Sequence, residues 1–524
     1  MPAAKLRLCR AILKEHFGPI VEKVGYALLE RGRSPLSILI RRTELPASKV
    51  REALFVLIQH GIVTYAETPE GARMVVYYQA EARSIIVRDR IPIYLQIVRK
   101  RCGEDAERML CETLWHGRAN YDHLIDKARA PGVSHDQLAE AFSKLTDMRV
   151  LVACTPEGSL SIDDRRMTEE AQEVARRGGL PLTATEMTKL RKELALKRDA
   201  QYDDKVETGS KRKVVLDLDE VANKRLAKDE KSEEKDTKYY RANLDKLHVF
   251  LRNEEIALLV ERRMNKGAGE VVKKLLTASE NKMRQCREEE KSEPVSQIML
   301  SSLLDPSIPL LVDGRSGASA TREYLDALTQ DDTQLIKKAS EGGGGQYTVN
   351  LKQAGIELRS RCMESIVQEK FGDTAKRVWR ILLAMNKLNE TQVSKMALIP
   401  LKMARHCLYA LMNAGLAFIQ DVPKTVDHSA ARTFFLWYVS IPKSTRILQQ
   451  NTYRTLWNVK ERREKERDAR ALLIQKMERS DIVSGEAQLS EAELINVDHL
   501  NRVVSQLVMT ESRLSRLLMV LEEF

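Results

Sequence analysis

The chain has 524 residues, of which 43% are hydrophobic and 5% aromatic. At about 150 residues per domain this length predicts three to four domains, and the scarcity of aromatic residues favours helix-rich cores. The net charge of +11, from 86 basic and 75 acidic residues, is compatible with a polyanionic partner but does not require one. The longest stretch without a charged residue or histidine, residues 407–420, is shorter than the roughly 20 apolar residues of a membrane span. We therefore expect no membrane segment, and the Lys and Arg residues spread through positions 5–14 argue against a signal peptide.

The seven cysteines are odd in number and include no CxxC pair. This favours neither a disulfide framework nor a zinc module, and predicts a reducing compartment such as the nucleus or cytosol. The motifs GxxxxGK[ST], GxSxG and HExxH are absent from the sequence. We expect no cofactor, no metal, no small-molecule substrate and no catalytic residue, and we interpret the glycines at 342–345 as a hairpin tip.

The first 82 residues predict three helices followed by a hairpin. Helices are expected at 5–16, 36–42 and 46–60, the last with Val50, Leu54 and Leu57 on one face. Gly61 would end that helix, and strands at 62–65 and 73–78 would flank a turn at 68–71. A helix-turn-helix with an appended hairpin is a winged helix.

Three further copies of this pattern are predicted along the chain. The second has helices at 104–116 and 121–129, a helix followed by a strand within 134–155, a turn at 157–158 and a short return strand at 160–162. In the third, a helix over 294–304 precedes a short helix near 324–328, a strand at 335–336 and a return at 347–351. The fourth has helices at 353–370, 374–385, 390–397 and 400–414, a wing at 422–431 and a return strand at 432–441.

Two segments fall outside the repeat. Residues 188–240 are rich in charge and predict either a solvated helix or a disordered linker. The tail from residue 443 predicts two helices separated around 480–490. The second carries a heptad seam, interrupted by Glu511, that either pairs with the first helix or binds a partner. The seam residues with a predicted partner-binding role are Leu500, Val504, Leu507, Leu514, Leu518 and Leu521.

The predicted fold class is thus mainly α with small β-hairpin wings (α+β), comprising four winged-helix domains in tandem plus a C-terminal antiparallel coiled coil. The predicted boundaries are 1–82, 83–187, 241–352 and 353–442 for the winged helices, 188–240 for the charged linker and 443–524 for the helical hairpin.

Nucleic-acid contact is predicted on the first and fourth copies, because their third helices carry outward basic residues that could meet phosphates. The second and third copies are mixed or acidic there, and no Asn or Gln cluster indicates base readout. An ordinary solvated face or a protein interface is the alternative interpretation for every copy. The candidate residues are Arg41, Arg42, Lys49, Arg51, Lys395, Lys402, Arg405, Lys424 and Arg432.

The chain resembles the third-largest subunit of eukaryotic RNA polymerase III. The resemblance rests on LCRAILKEHFGPIVEKVGYALLERG (8–32), VLIQHGIVTY (56–65), SIVQEKFG (365–372) and DVPKTVDHSAARTFFLWYV (421–439). It runs from end to end and is weakest in the charged segment.

This resemblance implies a non-catalytic nuclear subunit that supports promoter-directed initiation at transfer RNA, 5S ribosomal RNA and other small RNA genes. The implied partners are a tandem winged-helix subunit and a small acidic subunit of the same subcomplex, the clamp of the largest polymerase subunit, initiation factor IIIB, and promoter DNA, duplex or melted. The residue patterns alone are also compatible with two other functions, a stand-alone DNA-binding regulator and a winged-helix scaffold for protein interactions.

Overall fold

The computed structural model describes residues 1–70, 73–129, 133–154, 156–177, 183–207, 238–304, 318–423, 433–479, 482 and 489–524. It is mostly helical with small antiparallel sheets, which confirms this part of the predicted fold class. The chain divides into an N-terminal unit, Ile12–Leu247, and a C-terminal unit formed by Met1–Ala11 with His248–Phe524. We use "module" for each set of helices that ends in one of the four sheets.

Module 1 matches its predicted order of elements. Val50, Ala53, Leu54 and Leu57 form the buried face of its third helix. Residues 68–70 extend a strand rather than belonging to the predicted turn. Its elements are α1 (Ala3–Arg31), β1 (Ser34–Pro35), α2 (Leu36–Thr43), α3 (Ala47–Gln59), β2 (Val63–Glu70) and β3 (Arg73–Ala80), with strand order β1-β3-β2.

Module 2 departs from the prediction in its sheet. The predicted return strand at 160–162 is wrong, because Ser161 caps a helix that begins at Ile162. The strand that pairs with Leu151–Ala153 comes much later in the chain, and Ala153 faces Tyr240 across the ladder. The elements are α4 (Ala82–Ile86), α5 (Ile91–Cys102), α6 (Glu104–His116), β4 (Ala119–Asn120), α7 (Tyr121–Ala128), α8 (His135–Asp147), β5 (Leu151–Ala153) and β6 (Tyr239–Ala242), with strand order β4-β6-β5.

The charged segment therefore lies inside module 2, between two strands of one sheet. Its described part up to residue 207 belongs to α10 (Ala184–Glu207), which is joined to the preceding helix α9 (Ile162–Arg176) by ion pairs such as Arg191–Glu170 at 2.9 Å. Residues 239 and 240, predicted as the end of a linker, start the strand β6. Because two strands of one sheet flank it, the segment departs from a simple inter-domain linker. Residues 188–197 are helical and mostly exposed, in line with a solvated helix, which was one of the two interpretations.

Module 3 has its two longer strands where they were predicted, although the first, predicted at 335–336, extends from Ile336 to Ser340. Its core joins Val271, Leu275, Leu325 and Val349, all fully buried or nearly so. Gly342–Gly344 forms a short turn of 3-10 helix between two strands, in line with a hairpin tip. The elements are α11 (Leu244–Arg263), α12 (Lys266–Ser279), β7 (Val295–Ser296), α13 (Gln297–Leu303), α14 (Ala318–Gln330), β8 (Ile336–Ser340) and β9 (Gln346–Val349), with strand order β7-β9-β8.

Module 4 is built around Trp379 and Trp437, each 1% exposed. The Trp379 indole N–H donates to the Leu416 carbonyl at 3.2 Å, which ties the first helix to the start of the hairpin. Its elements are α15 (Leu351–Met385), α16 (Glu390–Ala397), α17 (Leu401–Asn413), β10 (Phe418–Pro423) and β11 (Thr433–Tyr438). Most of the predicted wing, residues 424–431, lies outside the described residues.

A shared backbone feature ends the third helix of every module. A residue with a positive φ lies two positions after the last helical residue at Gly61, Arg149 and Gly415 (68°, 57° and 71°) and four positions after it at Gln334 (49°). In each case its amide donates to the carbonyl three residues earlier, at 2.9–3.0 Å. This left-handed step turns the chain from the helix into the first long strand, and glycine takes it without strain in modules 1 and 4.

The C-terminal residues form two long antiparallel helices, as one of the two interpretations of the heptad seam predicted. Hydrogen bonds from Gln449 to the Leu521 carbonyl and from Arg463 to Glu511 fix the antiparallel register. The helices are α18 (Ile441–Asp468), α19 (Ala471–Met477) and α20 (Glu491–Glu523). Within the same unit Lys5 pairs with Glu522 at 3.5 Å, so the start of the chain packs beside its last helix.

Candidate nucleic-acid interface

The third helix of module 1, α3, presents a polar face. Its buried stripe faces the module core, and the opposite side exposes Lys49, Arg51 and Glu52. Phe55 lies on the same side and is 67% exposed. The helix starts directly after Pro46, whose extended φ and ψ suit a residue at the N-terminal boundary. A helix held this way can meet a flat or grooved partner with its basic residues.

Two of the four predicted cations in module 1 already have carboxylate partners. Lys49 Nζ lies 3.0 Å from Glu52 Oε2 on the same helix, and Arg42 pairs with Glu30 of α1. Hydrogen bonds from Lys49 and then Ser48 lower the pKa of the Glu52 carboxyl. These exposed pairs reduce the positive charge that α2 and α3 offer to a polyanion.

Arg41 and Arg51 are different. Both are exposed, and among the described residues neither has an ion-pair partner. Arg51 lies near the hydroxyl of Tyr78 on β3: burial raises the pKa of Tyr78, and the charge of Arg51 acts in the opposite direction. Module 1 therefore brings together one uncompensated arginine on each of its last two helices.

In module 4 the predicted cations lie on the corresponding elements. Arg405 Nε donates to Glu390 Oε2 at 2.6 Å, so its charge is compensated. Lys395 and Lys402 are exposed and have no ion-pair partner in the part of the chain that the structure describes. Lys424 and Arg432 lie outside the described residues.

The third helices of modules 2 and 3 carry little net charge. Lys144 pairs with Glu140 at 2.8 Å, and Arg322 lies 3.9 Å from Asp326. Both pairs connect residues one helical turn apart on an exposed face. These helices offer no uncompensated basic stripe among their described residues, in line with the mixed character of their sequences.

The predicted partner-binding seam is used largely inside the chain. Leu500, Leu518 and Leu521 are buried, with 5%, 0% and 2% exposure, and Leu521 belongs to the core of module 4. Val504, Leu507 and Leu514 are half-buried along the same helix. The helix α18 packs along this seam, and partner binding there stays a prediction.

The sequence analysis missed an exposed apolar cluster on module 4. Met396, Leu398 and Met403 are 40%, 87% and 49% exposed, beside the predicted cations. Their helical spacing alone could not reveal this, since Met and Leu in a helix-rich sequence usually indicate core. A position-by-position comparison with module 1 is the signal that could have found it.

Several chemical classes of site find no support in the described residues. Within them, no group of three or more His, Cys, Asp or Glu side chains could hold a metal ion. All seven cysteines are described and none of them forms a disulfide, and burial raises the pKa of the Cys362 thiol to about 11. No described helix has both the length and the apolarity needed to cross a bilayer.

Helix-turn-helix elements closed by hairpins, with basic side chains on a third helix, define a winged-helix protein. Three family models match the chain. They are described as "RNA polymerase III subunit RPC82 helix-turn-helix domain" at 7–68, "RNA polymerase III subunit RPC82" at 140–357 and "POLR3C, C-terminal winged-helix domain" at 363–439.

Curated relatives agree along nearly the whole length. The DNA-directed RNA polymerase III subunit RPC3 of Mus musculus is 27% identical over 519 residues, covering 96% of this chain and 92% of the relative. The Homo sapiens subunit of that name is 27% identical over 527 residues with the same coverage. An Emericella nidulans subunit is 24% identical over 617 residues, covering 99% of each chain. The chain belongs to the RPC3 (RPC82) family, the third-largest subunit of RNA polymerase III.

Proposed function

We propose that this chain is a non-catalytic, nuclear subunit that helps RNA polymerase III to start transcription at its promoters. Its relatives are named as subunits of that polymerase, and its resemblance implies a three-subunit subcomplex on the clamp. In this role it contacts upstream DNA and initiation factor IIIB while the largest subunits carry out RNA synthesis. All four modules act as winged helices, and the C-terminal helices form a coiled coil.

The observation that carries the DNA-contact part of this proposal is the pair of uncompensated arginines in module 1. Arg41 and Arg51 lie on the two helices that a helix-turn-helix presents to DNA, and the nearby Lys49 and Arg42 can exchange their carboxylates for phosphates. Two to four phosphate contacts give weak binding at physiological salt. On a polymerase that already holds DNA, such weak contacts gain effective concentration.

The remaining predicted residues are proposed to make secondary contacts with DNA or with other subunits. Lys395, Lys402 and Arg405 of module 4 are candidates for contact with DNA or with a protein, as argued below. Lys424 and Arg432 stay candidates for contact with DNA on the basis of the sequence alone. The half-buried seam residues Val504, Leu507 and Leu514 leave an edge of the C-terminal helices for the smaller subunits of the subcomplex.

The decisive experiment separates initiation from RNA synthesis. Polymerase III purified without this chain should transcribe a template with a single-stranded 3′ extension, where no promoter is needed. The same enzyme should fail on a transfer RNA promoter supplied with its initiation factors, and added chain should restore the transcript. Equal loss on both templates, or no loss on the promoter, would contradict an initiation role.

A further inference from the structure

Modules 1 and 4 can be compared residue by residue, because three fixed points recur at one constant offset in residue number. These are the helix-breaking glycines Gly18 and Gly372, the left-handed residues Glu44 and Leu398, and the helix-ending Gly61 and Gly415. The backbone between these points therefore has the same length in both modules. Every position in one helix-turn-helix has a counterpart in the other.

At three corresponding surface positions, module 1 has charged residues and module 4 has apolar ones. Where module 1 has the charged residues Arg42, Glu44 and Lys49, module 4 has Met396, Leu398 and Met403, in that order. All three apolar side chains are exposed, on the turn and on the ends of the two helices that it joins. Folding does not require apolar residues at these positions, since module 1 builds the same turn with charged ones.

Leu398 is the most informative of the three. It is 87% exposed, and its φ of 54° lies in the left-handed region, which residues with a side chain adopt reluctantly. Ser394 holds this turn in place: its carbonyl accepts from the Ile399 amide at 3.1 Å, and its hydroxyl donates to the Ile399 carbonyl at 2.7 Å. A leucine is thus fixed in water on a rigid turn, at a cost in both conformation and solvation.

The charges beside this cluster are positive. Lys395 and Lys402 are exposed next to Leu398 and Met403, without an ion-pair partner among the described residues. The nearby carboxylate of Glu390 is engaged by Arg405. A partner that covers the apolar centre would place its own carboxylates opposite these two lysines.

We infer that the helix-turn-helix face of module 4 is a protein-docking surface. Its occupant is an acidic, amphipathic segment of another polymerase III subunit, with apolar side chains on Met396, Leu398 and Met403 and carboxylates on Lys395 and Lys402. A protein segment fits this surface better than DNA does, because two lysines offer few phosphate contacts, whereas three exposed apolar side chains match the apolar centre of a protein interface. The inference rests on the proposed function, since it takes the partner from the polymerase.

The first test measures protection of the turn. Leu398→Cys is introduced into the full chain, and the rate at which the new thiol reacts with a maleimide is followed by peptide mass spectrometry. Glu44→Cys in the free chain supplies the reference rate for the same backbone conformation. We expect the thiol at position 398 to react at least about tenfold more slowly in assembled, DNA-free polymerase III than in the free chain, because the partner covers the turn. Equal rates in both, or protection of the free chain by duplex DNA alone, would overturn the inference.

The second test uses variants that keep the fold. Leu398→Asn relieves the left-handed leucine, because Asn tolerates this conformation, so the unfolding temperature should stay the same or rise. Docking should nevertheless weaken about tenfold or more, seen as release of the chain from polymerase III at lower salt. Lys395→Glu with Lys402→Glu should weaken docking as well, and tighter or unchanged docking in either variant would contradict the inference.

The controls separate this inference from the function on which it rests. If the tagged wild-type chain is recovered without other polymerase III subunits, the proposed function itself fails. If the wild type and all variants are recovered equally and resist the same salt, only the docking surface on module 4 is wrong.

Discussion

Arg463 and Glu511 form a two-point ion pair between the C-terminal helices α18 and α20. Arg463 Nε lies 2.8 Å from Glu511 Oε1, and Nη2 lies 3.0 Å from Oε2. Their side chains are only 10% and 12% exposed, and the equally buried Lys460 approaches Glu511 to 3.6 Å. The residue that interrupts the heptad seam is therefore the centre of a buried polar layer, which allows one alignment of the two helices over others.

This layer predicts a large effect of Glu511→Ala. The substitution removes the buried carboxylate that pairs with both cations, so the free energy of unfolding should fall by about 3–5 kcal/mol. Replacing the whole layer, with Lys460→Met, Arg463→Leu and Glu511→Leu together, should recover the stability or exceed it. Urea unfolding of the three-residue variant and of Glu511→Ala provides the comparison. A Glu511→Ala variant as stable as the wild type would show that the layer is solvated and unimportant.

The same pair illustrates what a sequence can and cannot reveal. The heptad seam is visible because its apolar residues recur at a fixed local spacing, and antiparallel pairing was one of the two interpretations that it allowed. Glu511 is visible only as an interruption, since its partners Lys460 and Arg463 lie on another helix. For the same reason the pairing of Arg42 with Glu30, and of Arg405 with Glu390, could not be inferred from the third helices alone.

Sheet pairing shows the limit more strongly. Modules 1 and 4 are predicted well because their strands are separated by short wings, so the pattern is local. In module 2 the partner of Leu151–Ala153 is Tyr239–Ala242, which lies beyond two helices and a long charged segment. Residues 160–162 are the nearest apolar run, which is why the sequence favours them as the partner. Distance in sequence, rather than weak propensity, causes this error.

The pairing of β5 with β6 can be tested by deletion. Joining residue 154 to residue 238 through a four-residue Asn-Gly turn removes α9 and α10 but keeps both strands of the sheet. We expect module 2 to remain folded, with slow amide exchange at Val152 and Arg241. Fast exchange at both amides would mean that the removed segment, rather than strand pairing, holds the sheet together.

His60 predicts a dependence of stability on pH. It packs edge-on against Phe17 with ring centroids 4.9 Å apart, and burial, followed by the charges of Arg88, His116 and His16, lowers its pKa from 6.5 to about 4. The unfolded chain therefore binds a proton between these values while the folded chain does not. The contribution of His60 to the free energy of unfolding is therefore fully present above about pH 6.5 and is lost as the pH falls towards 4.

The substitution His60→Gln should remove the pH-dependent contribution of this residue to the free energy of unfolding. After allowance for partial exposure, the difference in unfolding free energy between wild type and variant should change by at most about 2 kcal/mol between about pH 7.5 and pH 4.5. Urea unfolding at several pH values measures it, and taking the difference cancels the carboxylates common to both proteins. A difference that does not vary with pH would mean that His60 is fully hydrated.

Gly415 and Gly61 offer a matched pair of glycines with the same backbone role. A Cβ on Gly61 would meet open space, whereas a Cβ on Gly415 would lie 2.7 Å from two carbons of Ile447. Both changes to Ala add the strain of a positive φ. Only Gly415→Ala also places atoms too close together, which should lower the free energy of unfolding by about 1–3 kcal/mol more. Combining Gly415→Ala with Ile447→Ala should remove that excess in thermal unfolding. An equal cost at both glycines would contradict the close packing of Ile447.

DNA contact by module 1 is the central claim, and its two uncompensated arginines make it directly testable. Fluorescence anisotropy with labelled duplex DNA, over a range of salt concentrations, measures both the affinity and its salt dependence. For the double variant Arg41→Ala with Arg51→Ala we expect about tenfold weaker binding. The slope of the logarithm of the binding constant against the logarithm of the salt concentration should be smaller in magnitude by about two. Lys144→Ala with Arg322→Ala, which removes two compensated cations, should leave both quantities unchanged. Unchanged binding in the module 1 variant, or an equal loss in the control, would contradict DNA contact by this module.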